Sequence, residues 1–290
     1  MSKILLVGDV HAEWAFMDTV VEGVMKTYGP FDAVIQLGDY GFGPFGRDQT
    51  VRGTHGWTGH TPLYVLPGNH ENWNTVAGLQ EAEDKSQFYV MKRPELLDIA
   101  GLSVLAIPGA DSIDKHGRNK RPPNQSWWYQ EEILEEHVTA AMELYDANGA
   151  DLILTHCAPL SFVGPMKLQG PKIVPDRVPS SYELNTFYNV IAHNVDYPHP
   201  WLWAFGHYHT THLLGELIPN AYVFGAPILS GRSFYDESGV AVLDIVEETL
   251  TVLNRRGVKE GSLAAGKFGR EAVINLPPRI INRGHQSEAE

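Results

Sequence analysis

Five short apolar runs in this chain each stop at a polar cluster. ILLV leads into Gly8-Asp9-Val10-His11, AVIQL into Gly38-Asp39, LYVLP into Gly68-Asn69-His70-Glu71, LILT into His156, and WLWAF into Gly206-His207-Tyr208-His209. Continuous apolar runs of this length are the signature of strands buried on both faces, as in parallel sheets. Loops leaving the carboxyl ends of such strands converge on one crevice, so residues far apart in sequence meet there. The pattern therefore restricts the chain to an α/β fold with one site assembled at several strand ends.

The segments between the clusters agree. Ala12 to Lys26 places Trp14, Phe16, Met17, Val20, Val21 and Val24 at mostly helical spacing and is closed by Gly29-Pro30. Strand, helix, strand is the opening of an α/β architecture. Helices are predicted over Tyr129 to Ala147, with Asn148-Gly149 as its stop, and over Ser181 to Ala192. Leu96 to Ile99 with Leu102 to Ile107, and Val240 to Ile245 with Leu250 to Asn254, read as hairpins. A glycine-rich loop, Gly41 to Thr61, carries His55, Trp57 and His60. Without a convincing linker or repeat, residues 1–278 are expected to form a single domain, with 279–290 a frayed tail.

Bulk properties narrow the chemistry. The single cysteine, Cys157, excludes an internal disulfide framework or a cysteine-cluster metal site in one chain. Any metal must be held by His, Asp and Asn. A formal charge of -13, from 22 basic and 35 acidic side chains, argues against gripping long nucleic acid through its phosphates. A small phosphorylated substrate remains compatible, because bound cations reverse the local sign. No apolar run approaches the roughly 20 residues needed to span a bilayer, and no secretory signal is recognisable, so a cytoplasmic protein with no membrane partner is expected.

Glu71 aside, the clusters together offer two carboxylates, one amide and five imidazoles. Mixed nitrogen and oxygen donors of this kind suit Mn²⁺, Fe²⁺ or Zn²⁺, and the number of donors fits two ions better than one.

In this order and spacing, Asp9-x-His11, Gly38-Asp39, Gly68-Asn69-His70-Glu71, His156 and Gly206-His207-x-His209 resemble the motifs of the calcineurin-like metallophosphoesterase superfamily. The resemblance implies a four-layer αββα sandwich of two mixed sheets flanked by helices. It implies a pair of divalent metal ions, Mn²⁺ in the first place and Fe, Zn or Mg otherwise. Asp9, His11 and His209 would hold one ion and Asn69, His156 and His207 the other. Asp39 would bridge both, and His70 would act on the phosphate rather than on a metal. The implied reaction is hydrolysis of a phosphoric ester by a metal-bridging hydroxide, with the ions about 3.5 to 4 Å apart.

Other residues carry weaker expectations. Asp111 and Arg118 follow a sixth strand-like run and are candidate substrate contacts at the rim, Arg118 because a guanidinium binds phosphate oxygens in a fork. Glu71 reads as a first-turn carboxylate favoured by the helix dipole. Trp127 and Trp128 read as packing for the helix that follows. His212 reads as structural, Cys157 as buried, and His55 and His60 stay outside the metal set. Protein serine/threonine phosphatases of the superfamily continue their second motif with Asp-Arg-Gly, whereas here Asp39 is followed by Tyr40-Gly41-Phe42. That departure favours a small phosphodiester or phosphomonoester, for instance a nucleotide or cyclic nucleotide. The alternatives are a protein phosphatase, a nuclease or a non-catalytic binding module on the same scaffold.

Overall fold

A computed structural model describes residues 2–43, 57, 59–81, 87–116, 120–166, 178–194, 199–231, 237–254 and 268–279. Its strands form two sheets. The first contains β1 (Lys3–Val7), β2 (Ala33–Gln36), β3 (Leu63–Val65), β4 (Phe88–Val90), β11 (Glu237–Asp244), β12 (Thr249–Asn254) and β13 (Gly269–Asn275), in the order β13-β12-β11-β1-β2-β3-β4. The second contains β5 (Glu95–Ile99), β6 (Leu102–Ile107), β7 (Leu152–Thr155), β8 (Leu202–Phe205), β9 (His212–Ile218) and β10 (Ala221–Gly225), in the order β5-β6-β7-β8-β10-β9. Both sheets are mixed. β1 to β4 run parallel in one and β6, β7, β8 and β10 in the other, with antiparallel strands at their flanks.

Side-chain alternation along the strands sorts residues into layers. Ile4 and Leu6 of β1, Ile35 of β2, Leu154 of β7 and Ala204 of β8 meet in the layer between the sheets. Leu5 and Val7 point the other way, onto Met17, Val20 and Val24 of α1 (Trp14–Tyr28) and Val76 of α2 (Trp73–Gln80). Ile153, Trp203 and Phe205 face α3 (Glu135–Asn148), α4 (Leu160–Val163) and α5 (Pro179–His193) through Tyr145, Phe162 and Phe187. Two mixed sheets flanked by helices on both sides result, as the sequence predicts. No helix among the described residues is long and apolar enough to cross a membrane.

Three local differences from the sequence reading have physical reasons. The helix predicted from Tyr129 begins only at Glu135, after a single 3₁₀ turn at Tyr129–Glu131. Glu131 turns its carboxylate inward to accept from Ser112 N–H and Trp128 N–H, and Ile133 N–H is taken by Ser180 Oγ, so the helical ladder cannot form across 131–133. β13 is built from a stretch whose polarity hid it.

The third difference concerns Arg279, counted from sequence with the tail. It is clamped: Nε and Nη2 donate to the two oxygens of Asp151 at 2.9 and 2.8 Å, Nη2 also reaches Gly101 O, and its backbone N–H reaches Glu248 Oε1. Trp201 Nε1 donates to Pro277 O nearby. The strap thus joins the β11–β12 turn of one sheet to the base of the other. Residues 280–290 lie outside the described residues. Arg279→Ala is expected to lower stability by about 1–3 kcal/mol, because a two-pronged charged hydrogen bond is lost at a partly buried site. Thermal unfolding measures this, and an unchanged melting temperature would show the strap to be dispensable.

Candidate metal centre

All five clusters sit at the carboxyl ends of parallel strands: β1, β2 and β3 in one sheet, β7 and β8 in the other. The loops that follow are tightly bent. His11, Ala12, Asp39, His207 and His209 all have positive φ, between 47° and 70°. Such conformations cost about 1–3 kcal/mol each and persist where surrounding contacts impose them, characteristically at functional sites. Here His11 N–H and Val10 N–H both bond to Asp39 O, and Ala12 N–H bonds to Tyr40 O, which ties the first two loops together.

Asp9, Asp39, Asn69 and His156 are buried, with His11, His70, His207 and His209 half-buried around them. Two groups of donor atoms emerge, each within 4.8 Å of one another: Asp9, His11, Asp39 and His209, and then Asp39, His156 and His207. His11 Nε2 faces His209 Nε2 at 3.0 Å, and Asp9 Oδ2 lies 3.2 Å from His209 Nε2. Asp39 belongs to both groups. Its Oδ1 is 3.1 Å from His156 Nε2 and its Oδ2 3.7 Å from His11 Nε2.

Several observations test whether these residues fit divalent cations. His156 Nδ1 lies 2.8 Å from Leu37 O; a carbonyl only accepts, so Nδ1 carries the proton and Nε2 is turned to Asp39. The Oδ1 of Asn69 is buried without a hydrogen-bond partner, which is costly unless something else satisfies it. Glycines leave the space: a Cβ on Gly68 would stand 2.3 Å from Asp39 Oδ1 and 2.7 Å from His156 Nε2, and one on Gly206 2.4 Å from Asp9 Oδ1. The carboxylates, amide and imidazoles therefore fit such ions.

Electrostatics points the same way. Burial opposes a charge on Asp39, but His156 and His70 hold its carboxyl well below the usual carboxylate range. Burial also opposes a charge on His156, which Asp39 nevertheless pushes up to about 9. Desolvation and the neighbouring His156 push His207 down to about 3. In the bare site a proton on His156 does the work of a cation against Asp39.

Supporting contacts cross between loops and between sheets. Both oxygens of Asp9 accept from His207 N–H, at 3.0 and 3.2 Å. Asp39 Oδ1 accepts from His70 N–H at 2.7 Å. Trp73 Nε1 donates to Gly68 O, and Arg93 lies 4.9 Å over the Trp73 ring while donating to Pro108 O, Gln130 O and Glu131 O. Neither Trp73 nor Arg93 is evident from sequence, because each acts through a neighbour. Glu71 is fully buried and accepts three backbone N–H groups from Tyr40, Gly41 and Phe42, a role different from the dipole reading. Burial pushes its carboxyl up to about 8, and Asp39 adds to this against those three donors.

His70 belongs to neither donor group, and its ring centroid lies 5.1 Å from that of His11. Asp111 is not at the rim expected from sequence. It is 5% exposed, its Oδ2 accepts from Ser180 N–H at the start of α5, and Lys115 stands 4.0 Å away. The short stretch between β6 and its 3₁₀ turn folds inward onto α5, which the run of small residues did not reveal. Arg118 and His55 lie outside the described residues. His60 is exposed, His212 stacks on Phe205, Cys157 is buried, and Trp127 and Trp128 are packed in the interior.

Asp and His side chains gathered at the parallel-strand ends of two mixed sheets, with helices on both outer faces, define the metallophosphoesterase sandwich. A family model described as calcineurin-like phosphoesterase matches residues 2–211, and the chain belongs to that family. Among solved structures, one crystal structure is 12% identical, covering 87% of this chain and 98% of that chain at a TM-score of 0.52, a likeness of fold. A conserved uncharacterized protein from Streptococcus pneumoniae, titled a predicted phosphoesterase, is 15% identical over 87% of this chain and 89% of its own, with a TM-score of 0.35. No curated protein sequence matches the chain.

Proposed function

We propose that the protein is a cytoplasmic phosphoesterase acting on a small phosphodiester or phosphomonoester, such as a nucleotide, with two divalent cations. Asp9, His11 and His209 would hold one, Asn69, His156 and His207 the other, and Asp39 both. The observation that carries this reading is the division of Asp39, whose two oxygens serve different donor groups. When bound, the cations would supply Lewis acidity at phosphorus and an activated water near neutral pH.

The chain's own residues do the rest. Asp39 places negative charge between the two positions, and its burial keeps that charge undiluted by solvent. His156 is held in one tautomer by Leu37 O, so its free nitrogen is presented without a reorganisation cost. His70, half-buried beside His11 and outside both donor groups, would act on an ester oxygen rather than on a cation. Mn²⁺ is the proposed native ion, since the donor set mixes imidazole with carboxylate and amide oxygen.

Metal analysis after saturation with Mn²⁺ is expected to give two ions per chain. Chelator is expected to abolish hydrolysis of an aryl phosphodiester, and Mn²⁺ to restore it. One ion per chain would count against the pair, and full activity in protein shown to be metal-free would remove the reading altogether. A screen of aryl mono- and diesters, cyclic nucleotides, DNA and a phosphopeptide then separates small-ester, nuclease and protein phosphatase activities.

A further inference from the structure

We infer that Glu71 is the positioning residue for Asp39, a role that rests on the metal-centre reading above. Its carboxylate is completely buried, with Oε1 accepting Tyr40 N–H at 2.6 Å and Oε2 accepting Gly41 N–H at 2.9 Å and Phe42 N–H at 2.7 Å. Three consecutive N–H groups converge because the backbone turns through positive φ at Asp39 (56°) and again at Gly41 (95°). Successive N–H groups arranged in this way form an anion-binding concavity. Here the chain fills it with its own carboxylate.

The clasp is reciprocal. Glu71, from the loop after β3, binds the backbone of the loop after β2, and Asp39, from the loop after β2, binds the backbone N–H of His70. Asn72 N–H to Phe42 O and Thr75 Oγ1 to Gly43 O, both at 2.9 Å, continue the seam. Asp39 is thus held from two sides: its side chain by His70 N–H, its strained backbone by whatever fixes Tyr40 to Phe42. Glu71 takes all three of those N–H groups.

Glutamine is the discriminating substitution, because it keeps the shape but offers one acceptor oxygen and turns an amide N–H toward backbone N–H groups.

Mn²⁺ titration of wild type, Glu71→Gln, Glu71→Asp and Val24→Ala tests the assignment, with melting of each metal-free protein followed in parallel. Val24 is a buried residue of α1, three turns from the site, and serves as a variant that lowers stability only. Glu71→Gln is expected to weaken Mn²⁺ binding roughly 10- to 100-fold, the range usual for residues that orient metal ligands. Glu71→Asp, which keeps both carboxyl oxygens but draws them back, is expected to lose less. Val24→Ala is expected to melt earlier and bind Mn²⁺ as wild type does. Wild-type affinity in Glu71→Gln would overturn the assignment, as would an equal loss in Val24→Ala. Should Glu71→Gln not fold, Glu71→Asp decides, with wild-type affinity again overturning it. Failure of wild type to bind Mn²⁺ at all would instead remove the metal-centre reading beneath it.

Discussion

Asp39→Asn is expected to cost more activity than the roughly 100-fold typical of losing an outer support, and to do so asymmetrically. The wild-type carboxylate is ionised, since the imidazoles around it outweigh the opposing effect of burial. An amide there has one oxygen and one NH₂. His70 N–H, 2.7 Å from Oδ1, can only donate, so the amide oxygen must take that position. The NH₂ then occupies the place of Oδ2, presenting hydrogens toward His11. The half-site of Asp9, His11 and His209 loses a donor and gains a repulsive group, while that of His156 retains an oxygen. Mn²⁺ stoichiometry in the variant is therefore expected to fall from two toward one. Retention of two ions with wild-type turnover would sink the bridging role, and loss of both ions together would show that the half-sites are not separable.

His70→Ala is expected to behave differently: both ions retained and kcat reduced by about 10²- to 10⁴-fold, the usual contribution of a positioned proton donor. The expectation follows from placement. His70 follows Asn69 directly, yet its ring lies against His11 and outside both donor groups. The loss should be smaller for an activated aryl leaving group, which departs without a proton, than for an alkyl ester. Metal loss from His70→Ala would reassign the residue as a ligand, and unchanged kcat toward alkyl esters would make it a bystander.

The strand ends were legible in sequence because a parallel strand buried on both faces has to be apolar throughout, and the polar residue after it stands out. β8 is apolar throughout, and β1, β2 and β7 each depart at one end only, at Lys3, Gln36 and Thr155, with every residue of β2, β7 and β8 buried. Side chains acting on backbone were not legible. Nothing in a pattern of residue types announces that Glu71 reaches back about thirty residues to three N–H groups, or that Glu131 turns inward and delays α3. The sequence reading did not delimit β9 and β10, which meet at a turn where Asn220 has φ of 56° and whose pairing is irregular. Asp111 illustrates the remaining difficulty. Position after a strand says which end of the sheet a residue occupies, not which way its side chain turns.

The hydrogen bonds from His207 N–H to Asp9 and from His156 to Leu37 O span 198 and 119 residues of sequence. Contacts of such separation form only after the entropy of closing very long loops has been overcome. One donor group draws Asp9, His11 and Asp39 from the first sheet and His209 from the second; the other draws Asp39 from the first and His156 and His207 from the second. Neither sheet alone presents a complete set. Each donor group therefore exists only where the two sheets are docked in register, so the site reports on the packing of the sheets against each other as well as on its own loops.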